Sequence, residues 1–285
     1  LTGFDGSVGD AIISERGSHL FVDGRYTLQA EEQAKGFSVH VTSSLESIEG
    51  LWLKKLAQIL NPGETLAYDP ATVDVCLFER LEKATESLGL KLKAMPQISQ
   101  DVLKTMPGLD LSDFPLFEVG LEIAGESTEQ KCAMVQNFLK ERNLDGFLVV
   151  KLDDIAWLTN FRSYCYPFQS SIPGLALLTS DRLILGLASG LKAPSSMRGI
   201  CHEDEVFDKA KDLFNGKKVV IGIDKKSTSK AQELALRALN VEIKDIDNPI
   251  SNFKAIKNEK ERLHMRSAFA KADKVVYQTQ NFAIE

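Results

Sequence analysis

The three glycines of Gly3-Phe4-Asp5-Gly6-Ser7-Val8-Gly9 could let backbone amides close around a phosphate. Their spacing is neither GxGxxG nor a P-loop with its lysine, and a strand pattern follows instead of a helix. With no helix N-terminus to face an anion, the stretch reads as a turn between strands. His202-Glu203-Asp204-Glu205 sets four metal-ligating residue types side by side, but consecutive side chains diverge and cannot converge on one ion. They precede the apolar stripe Val206, Ala210, Leu213 and Phe214, where acidic residues complement the positive end of a helix dipole. His19, His40 and His264 lack a partner at a spacing such as HExxH and read as surface or edge residues. There is no GxSxG elbow, and Cys165, in Tyr164-Cys165-Tyr166-Pro167, reads as an exposed loop thiol with no basic neighbour to activate it. Asp23-Gly24-Arg25-Tyr26 is more suggestive. Glycine at a strand end lets the chain turn while Arg25 and Tyr26 are presented together, either for a local salt bridge and packing or for contact with a substrate channel or subunit.

The elements that must position these residues form one unit written twice. Leu1-Thr2-Gly3-Phe4 aligns with Leu158-Thr159-Asn160-Phe161, and residues 9–14 align with residues 174–179. Each copy continues as a β-hairpin, with His19-Leu20-Phe21-Val22 or Arg182-Leu183-Ile184-Leu185 as second strand. Further on, Leu66-Ala67-Tyr68-Asp69 matches Ile221-Gly222-Ile223-Asp224, each a buried strand ending in an Asp that can cap the helix ahead. Helices over Val75 to Leu88 and Lys230 to Leu239 follow, stopped by Gly89 and Asn240 in the left-handed position. Alternating edge strands come next, Leu90 to Lys93 and Val241 to Lys244.

The second copy has a beginning that the first lacks: a helix capped by Ser127 and Gln130, with the stripe Cys132, Val135, Phe138 and Leu139, then the strand Phe147 to Val150. By symmetry, the first copy is expected to have lost its own helix and strand upstream of Leu1. Residues 95–125, with Pro96, Pro107 and Pro115, read as an ordered connector. Asn258 with Glu261 opens a last helix, whose stripe Met265, Ala268, Phe269, Ala272, Val275 and Val276 needs a partner, expected in sequence beyond Glu285. The domains are thus expected at 1–125 (incomplete, with the connector), 126–252 and 253–285.

Composition bounds the function. The 285 residues are 44% hydrophobic and 26% charged, which is globular, with 34 basic against 40 acidic residues and a net charge of −6. No basic stripe exists to neutralise nucleic acid, and no apolar run approaches the roughly 20 residues that cross a bilayer. Four scattered cysteines and no readable signal peptide fit reduced thiols in the cytoplasm.

Four segments carry a resemblance to a known family. Gly3 to Gly9 resembles the GF(T/D)GSAG stretch of the Xaa-Pro aminopeptidases (aminopeptidase P), within the creatinase and prolidase superfamily. Asp23-Gly24-Arg25-Tyr26-Thr27-Leu28-Gln29-Ala30-Glu31 is similar to DGRYFLQAE, and Leu152 to Arg162 to LDEIAWLFNLR. Ala255-Ile256-Lys257-Asn258-Glu259-Lys260-Glu261 resembles the lead-in to the catalytic domain. The loop after Arg162 departs: the family reads Gly-Ser-Asp and soon Asn-Pro, whereas this chain reads Ser163-Tyr164-Cys165-Tyr166-Pro167, in a loop the resemblance places toward the cleft.

The resemblance implies an α/β fold class of two related N-terminal-type domains, each a mixed sheet flanked by helices, the first truncated, plus the first helix of a missing pita-bread domain. It implies a parent metalloaminopeptidase that removes the residue before proline from peptides, using two divalent metal ions, usually manganese. The metal ligands, two Asp, one His and two Glu, belong to the third domain beyond Glu285, so no catalytic and no metal residue carries over. The fragment alone is expected to be inactive and to bind no cofactor. Xaa-Pro peptides and a second copy in a homodimer are the expected partners, with no nucleic acid and no membrane. Arg25, Tyr26, Trp157 and Arg162 are the expected cleft or interface contacts. A binding or scaffolding protein with a metal-free pita-bread domain is the rival, and a self-contained small-molecule module a third reading, against which the unmatched stripe of the last helix speaks.

Overall fold

The structure is a computed structural model and describes residues 2–43, 46–104, 110–197 and 199–284. Leu1 of the repeat signature, Pro107 of the connector and Glu285 lie outside the described residues. The chain divides into two compact units, Leu1–Gly108 and Leu109–Glu285.

In the first unit, β1 (Asp10–Ser14) and β2 (Gly17–Val22) form the expected antiparallel hairpin. After α1 (Thr27–Gln33), β3 (Phe37–Val41) adds parallel to β2. The two-residue period of β2 serves two cores: Leu20 and Val22 pack with Ala30 and Ala34 from and beside α1, while Phe21 faces the opposite cluster. That cluster is built by α2 (Ile48–Ile59) through Trp52 and Leu56, and by Leu81. Ser47 caps α2 by accepting the Gly50 amide at 3.0 Å, and the Trp52 indole donates to Asp10 Oδ2 at 3.0 Å. Then come β4 (Thr65–Tyr68), α3 (Val75–Ser87, the helix of Leu81), β5 (Lys91–Ala94) parallel to β4, and α4 (Gln97–Lys104).

In the second unit, β6 (Phe117–Glu118) and α5 (Leu121–Ala124) precede α6 (Thr128–Glu141). Ser127 and Gln130 make the expected capping box, with reciprocal bonds of 3.3 and 2.8 Å. Next are β7 (Gly146–Val149), α7 (Leu152–Thr159) and the two-residue β8 (Phe161–Arg162), which pairs with β6. The hairpin β9 (Gly174–Thr179) and β10 (Leu183–Leu187), then β11 (Ile200–His202) and α8 (Val206–Phe214), complete one side of the sheet. Beyond β12 (Val220–Ile223), α9 (Lys230–Ala238) and β13 (Glu242–Asp245) come α10 (Pro249–Ala255) and α11 (Glu259–Ile284). Six strands make one mixed sheet in the order β11-β10-β9-β7-β12-β13. Its centre is buried: Phe147, Leu148 and Val149 of β7 are all within 2% exposure.

The repeat is physical. Thr2 and Thr159 each accept, on the side-chain hydroxyl, the amide of the phenylalanine two residues on, at 3.1 and 3.3 Å. Between them Gly3 and Asn160 are both left-handed, with φ of 74° and 59°. Gly89 and Asn240 stop their helices at φ of 65° and 58°, as expected.

Three expectations change. Asp69 and Asp224 cap turns, not helices: each accepts the amide two residues on, Ala71 at 2.9 Å and Lys226 at 3.1 Å. The helices five residues later use Asp74 and Ser229 as caps. Next, β4 is half-exposed rather than buried. Residues 95–125 are also not structureless between their prolines, since α4, β6 and α5 lie there; proline permits short elements that begin just after it, as α4 does after Pro96. The pairing of β6 with β8 places residues 117–118 in the second unit.

Candidate functional site

In the first unit, two of the resembling segments hold each other. The Phe4 ring folds back over Gly6 and Gly9, and a Cβ at Gly6 would overlap it, so glycine here makes room for a ring rather than for a phosphate. That ring meets Tyr26 edge-on, centroids 5.6 Å apart, and Ser7 Oγ lies 2.5 Å from the Tyr26 hydroxyl. Gln29 donates to Asp5 at 2.6 Å, which closes the other side of the loop.

Arg25 is turned onto its own strand end. Its Nη2 donates to Asp23 Oδ2 at 2.7 Å, and its guanidinium carbon sits 5.1 Å from the Tyr26 ring centroid. The pairing holds the Asp23 carboxyl below its ordinary value and raises Arg25, while the hydrogen bond with Ser7 lowers Tyr26. Of the alternatives open for this segment, the local ion pair is therefore formed. The Arg25 side chain is still 66% exposed and able to meet a partner as well.

In the second unit, Trp157 and Arg162 lie at the end of α7. Trp157 is 5% exposed, buried under the ammonium of Lys131, which stands 4.7 Å from the indole centroid. Its ring is thus packed into the core of the second unit. Arg162 is half-buried and donates to the Ala156 and Phe161 carbonyls, complementing the negative end of the helix. Desolvation lowers the Arg162 pKa, partly offset by Glu261.

Lys131 escapes the sequence reading. It is 1% exposed and donates to the Trp157 carbonyl at 3.0 Å and to Asn160 Oδ1 at 2.6 Å. Burial lowers its pKa, with Glu261 and Glu126 acting the other way and Arg162 reinforcing the fall. The signal was available, because Lys131 sits four residues before Val135 on the buried stripe of α6. At the start of α7, Asp154 is fully buried and binds Lys254 at 2.5 Å and Asn248 at 2.6 Å. Lys254 also reaches Asp153; burial opposes its charge, yet these carboxylates outweigh that and raise its pKa. The fourth segment attaches likewise: Asn258 donates to the Ala124 carbonyl at 2.8 Å and forms a reciprocal cap with Glu261.

The loop after Arg162 alternates. Ser163 and Cys165 are buried, whereas Tyr164 is exposed and lies tilted against Phe117, ring centroids 4.9 Å apart. Cys165, expected at the surface, is 3% exposed, because the loop turns it inward. His19 and His40 are not separate edge residues either; Nδ1 and Nε2 lie 3.0 Å apart across β2 and β3, and His40 stacks on Phe21. His202 caps the turn at Glu203 to Glu205 that leads into α8. Among the described residues no group of three or more His, Cys, Asp or Glu side chains is placed to hold a metal ion.

Profiles described as Creatinase/Prolidase N-terminal domain match residues 1–98 and residues 110–261. The chain belongs to the creatinase/prolidase N-terminal domain family. It carries two such domains, mixed α/β with helices flanking the sheets, in the order the repeat indicates. Relatives of this family include a probable Xaa-Pro aminopeptidase P of Laccaria bicolor, 26% identical over 92% of this chain and 41% of its own length. Another, from Talaromyces marneffei, is 29% identical over 94% of this chain and 42% of its own. The Drosophila melanogaster Xaa-Pro aminopeptidase ApepP is 30% identical over 72% of this chain and 33% of its own. The chain thus spans less than half the length of the curated relatives it matches. In fold it is similar to the X-prolyl aminopeptidase of Caenorhabditis elegans, described as a cytosolic enzyme with a di-nuclear active site: TM-score 0.81, 21% identity, 93% of this chain and 45% of the other.

Proposed function

We propose that this chain is the non-catalytic N-terminal part of a metal-dependent Xaa-Pro aminopeptidase, which removes the N-terminal residue from peptides with proline second. The observation that carries this reading is the match to such enzymes along 92 and 94% of the chain, through both domains in order. Two divalent metal ions, manganese by resemblance, would supply the hydrolytic chemistry. The described residues do not fit them, for want of a cluster of donors.

In this reading the two domains serve dimerisation and gate the cleft. Arg25, exposed beside the Tyr26 ring, is the best placed of the expected contacts. Trp157, Lys131 and Arg162 act one step back by fixing the end of α7. Helix α11 fits the role of a lead into a further domain: Met265, Phe269, Val275 and Val276 of its stripe are all exposed. The domain limits proposed for the parent are 1–125, 126–252 and 253–285, and the cytoplasm is its proposed location. Among the described residues no helix is long and apolar enough to cross a membrane.

The test is hydrolysis of an Xaa-Pro peptide with added manganese, run on the 285-residue chain and on the product of the whole gene. Turnover by the whole product alone is expected, with a dimer in sedimentation. Turnover by the 285-residue chain would refute the non-catalytic role. Inactivity of the whole product, with no metal retained after manganese is added, would favour the binding-protein reading.

A further inference from the structure

The cross-strand pair of His19 and His40 has no part in the peptidase reading, and its chemistry does not depend on that reading. The register sets His19 beside Ser38 and Phe21 beside His40, so strand alternation puts all four side chains on one face of β2 and β3. The two rings meet on the diagonal, 22° from parallel, with His19 Nδ1 and His40 Nε2 3.0 Å apart. Phe21 backs the His40 ring, centroids 4.8 Å apart. Both histidines are half-buried, so water still reaches them.

That separation is also the bite of a chelate. At a metal–nitrogen distance of about 2.05 Å, two nitrogens 3.0 Å apart subtend about 94° at a shared ion. This is close to the right angle between neighbouring ligands of a square-planar or octahedral ion, and well short of the tetrahedral angle of about 109°. Each lone pair must swing about 43° off the line between the nitrogens, which the broad second side-chain torsion of histidine permits. Neither outer nitrogen, His19 Nε2 or His40 Nδ1, has a protein partner among the described residues, so each can keep its ring's proton while the facing nitrogen gives its lone pair. Burial, then Lys55 and His19, lower the His40 pKa, which keeps that ring neutral at pH 7, as a ligand must be. Asp10, on the same face beside Phe21, is committed to the Trp52 indole at 3.0 Å, and Ser38 offers only a neutral hydroxyl. Among the described residues no third His, Cys, Asp or Glu joins the pair, so water fills the remaining positions around an ion.

We propose that His19 and His40 form a two-imidazole chelate for one tetragonal divalent cation, of the nickel(II) or copper(II) kind, at the junction of β2 and β3. Imidazole nitrogens suit these ions, which stand high in the divalent affinity series. The ion takes the place of the hydrogen bond that the neutral rings share. It thereby clips β3 to β2, its one strand partner among the described residues.

The probe is nickel chloride, titrated calorimetrically into the untagged 285-residue chain after treatment with a chelator. One ion per chain is expected, with the unfolding midpoint raised and hydrogen-exchange protection gained at residues 37–41. His19→Gln and His40→Gln should each weaken binding by about tenfold or more, because the second imidazole binds within the same molecule. His264→Gln, on α11, should leave the affinity unchanged. Lys55→Gln keeps both rings and removes the positive charge that acts on His40, so it should tighten binding about threefold. Binding no tighter in the wild-type chain than in either of the His19 and His40 variants would overturn the proposal. So would an affinity indifferent to Lys55→Gln, or protection gained away from β2 and β3.

Discussion

Gly3 and Asn160 hold the same left-handed turn, each one residue after a threonine that accepts the amide of the following phenylalanine. Only Asn160 has a side chain, and it uses it to accept from Lys131 at 2.6 Å and donate to the Glu126 carbonyl at 2.8 Å. The second domain thus satisfies a buried cation at a position where the first needs only a turn. Asn160→Gly keeps the backbone conformation and removes the acceptor, so it should cost about 1–3 kcal/mol. Lys131→Met removes the cation and should cost a similar amount. In the double variant the losses should not add, with a coupling of about 1–2 kcal/mol in urea unfolding. Full additivity would show that the two groups are energetically independent.

The glycine loop admits a sharper contrast. Gly6→Ala forces the Phe4 ring away from Tyr26 and should destabilise by about 1–3 kcal/mol, the usual cost of overpacking. Gly24 has open space around its Cβ position and needs no left-handed backbone, so Gly24→Ala should change stability by less than about 0.5 kcal/mol. Thermal unfolding of both variants decides this, and equal effects would contradict the packing role assigned to Gly6.

The histidine pair predicts a pH dependence. Burial lowers the His40 pKa below its ordinary 6.5, with Lys55 and His19 adding repulsion. The unfolded chain then binds protons that the folded one resists, so stability is full above about pH 6.5 and declines as the pH falls through that value. The shared contact at 3.0 Å also fails once both rings are charged. His40→Phe keeps the stack on Phe21 and should flatten the slope of the urea midpoint between pH 7.5 and 5.5. An unchanged slope would assign the effect to other groups.

How much was legible in the sequence follows from the range of each interaction. The hairpin, the capping box of Ser127 and Gln130, and the stops at Gly89 and Asn240 depend on neighbours within a few residues, and their residue types announce them. The resembling segments were legible as well, though not that Ser7 meets Tyr26 and Gln29 meets Asp5. Long-range contacts leave no periodic trace. Asp154 finds Lys254 and Asn248 from the far end of the domain, and nothing in residues 153–154 alone says which carboxylate is buried. His19 and His40 become a pair only when β3 adds beside β2. Asp69 shows the limit of a local rule, since an aspartate ahead of a helix serves a turn as well as a cap.

Thiol reactivity tests the loop at which the sequence and the structure disagree most. Cys132 and Cys165 are buried, while Cys76 and Cys201 are partly open. Burial, with Glu129 adding to it, pushes the Cys132 thiol up to about 11, so only about one part in a thousand is thiolate at pH 8. Burial raises Cys201 as well. Under native conditions iodoacetamide should label Cys76 first and Cys201 more slowly, with Cys132 and Cys165 modified only on unfolding, as mass mapping would show. Fast labelling of Cys165 would mean that residues 163–172 open in solution. The alternation that buries Ser163 and Cys165 and exposes Tyr164 would then be one state of the loop, and Tyr164 would not be held in place against Phe117.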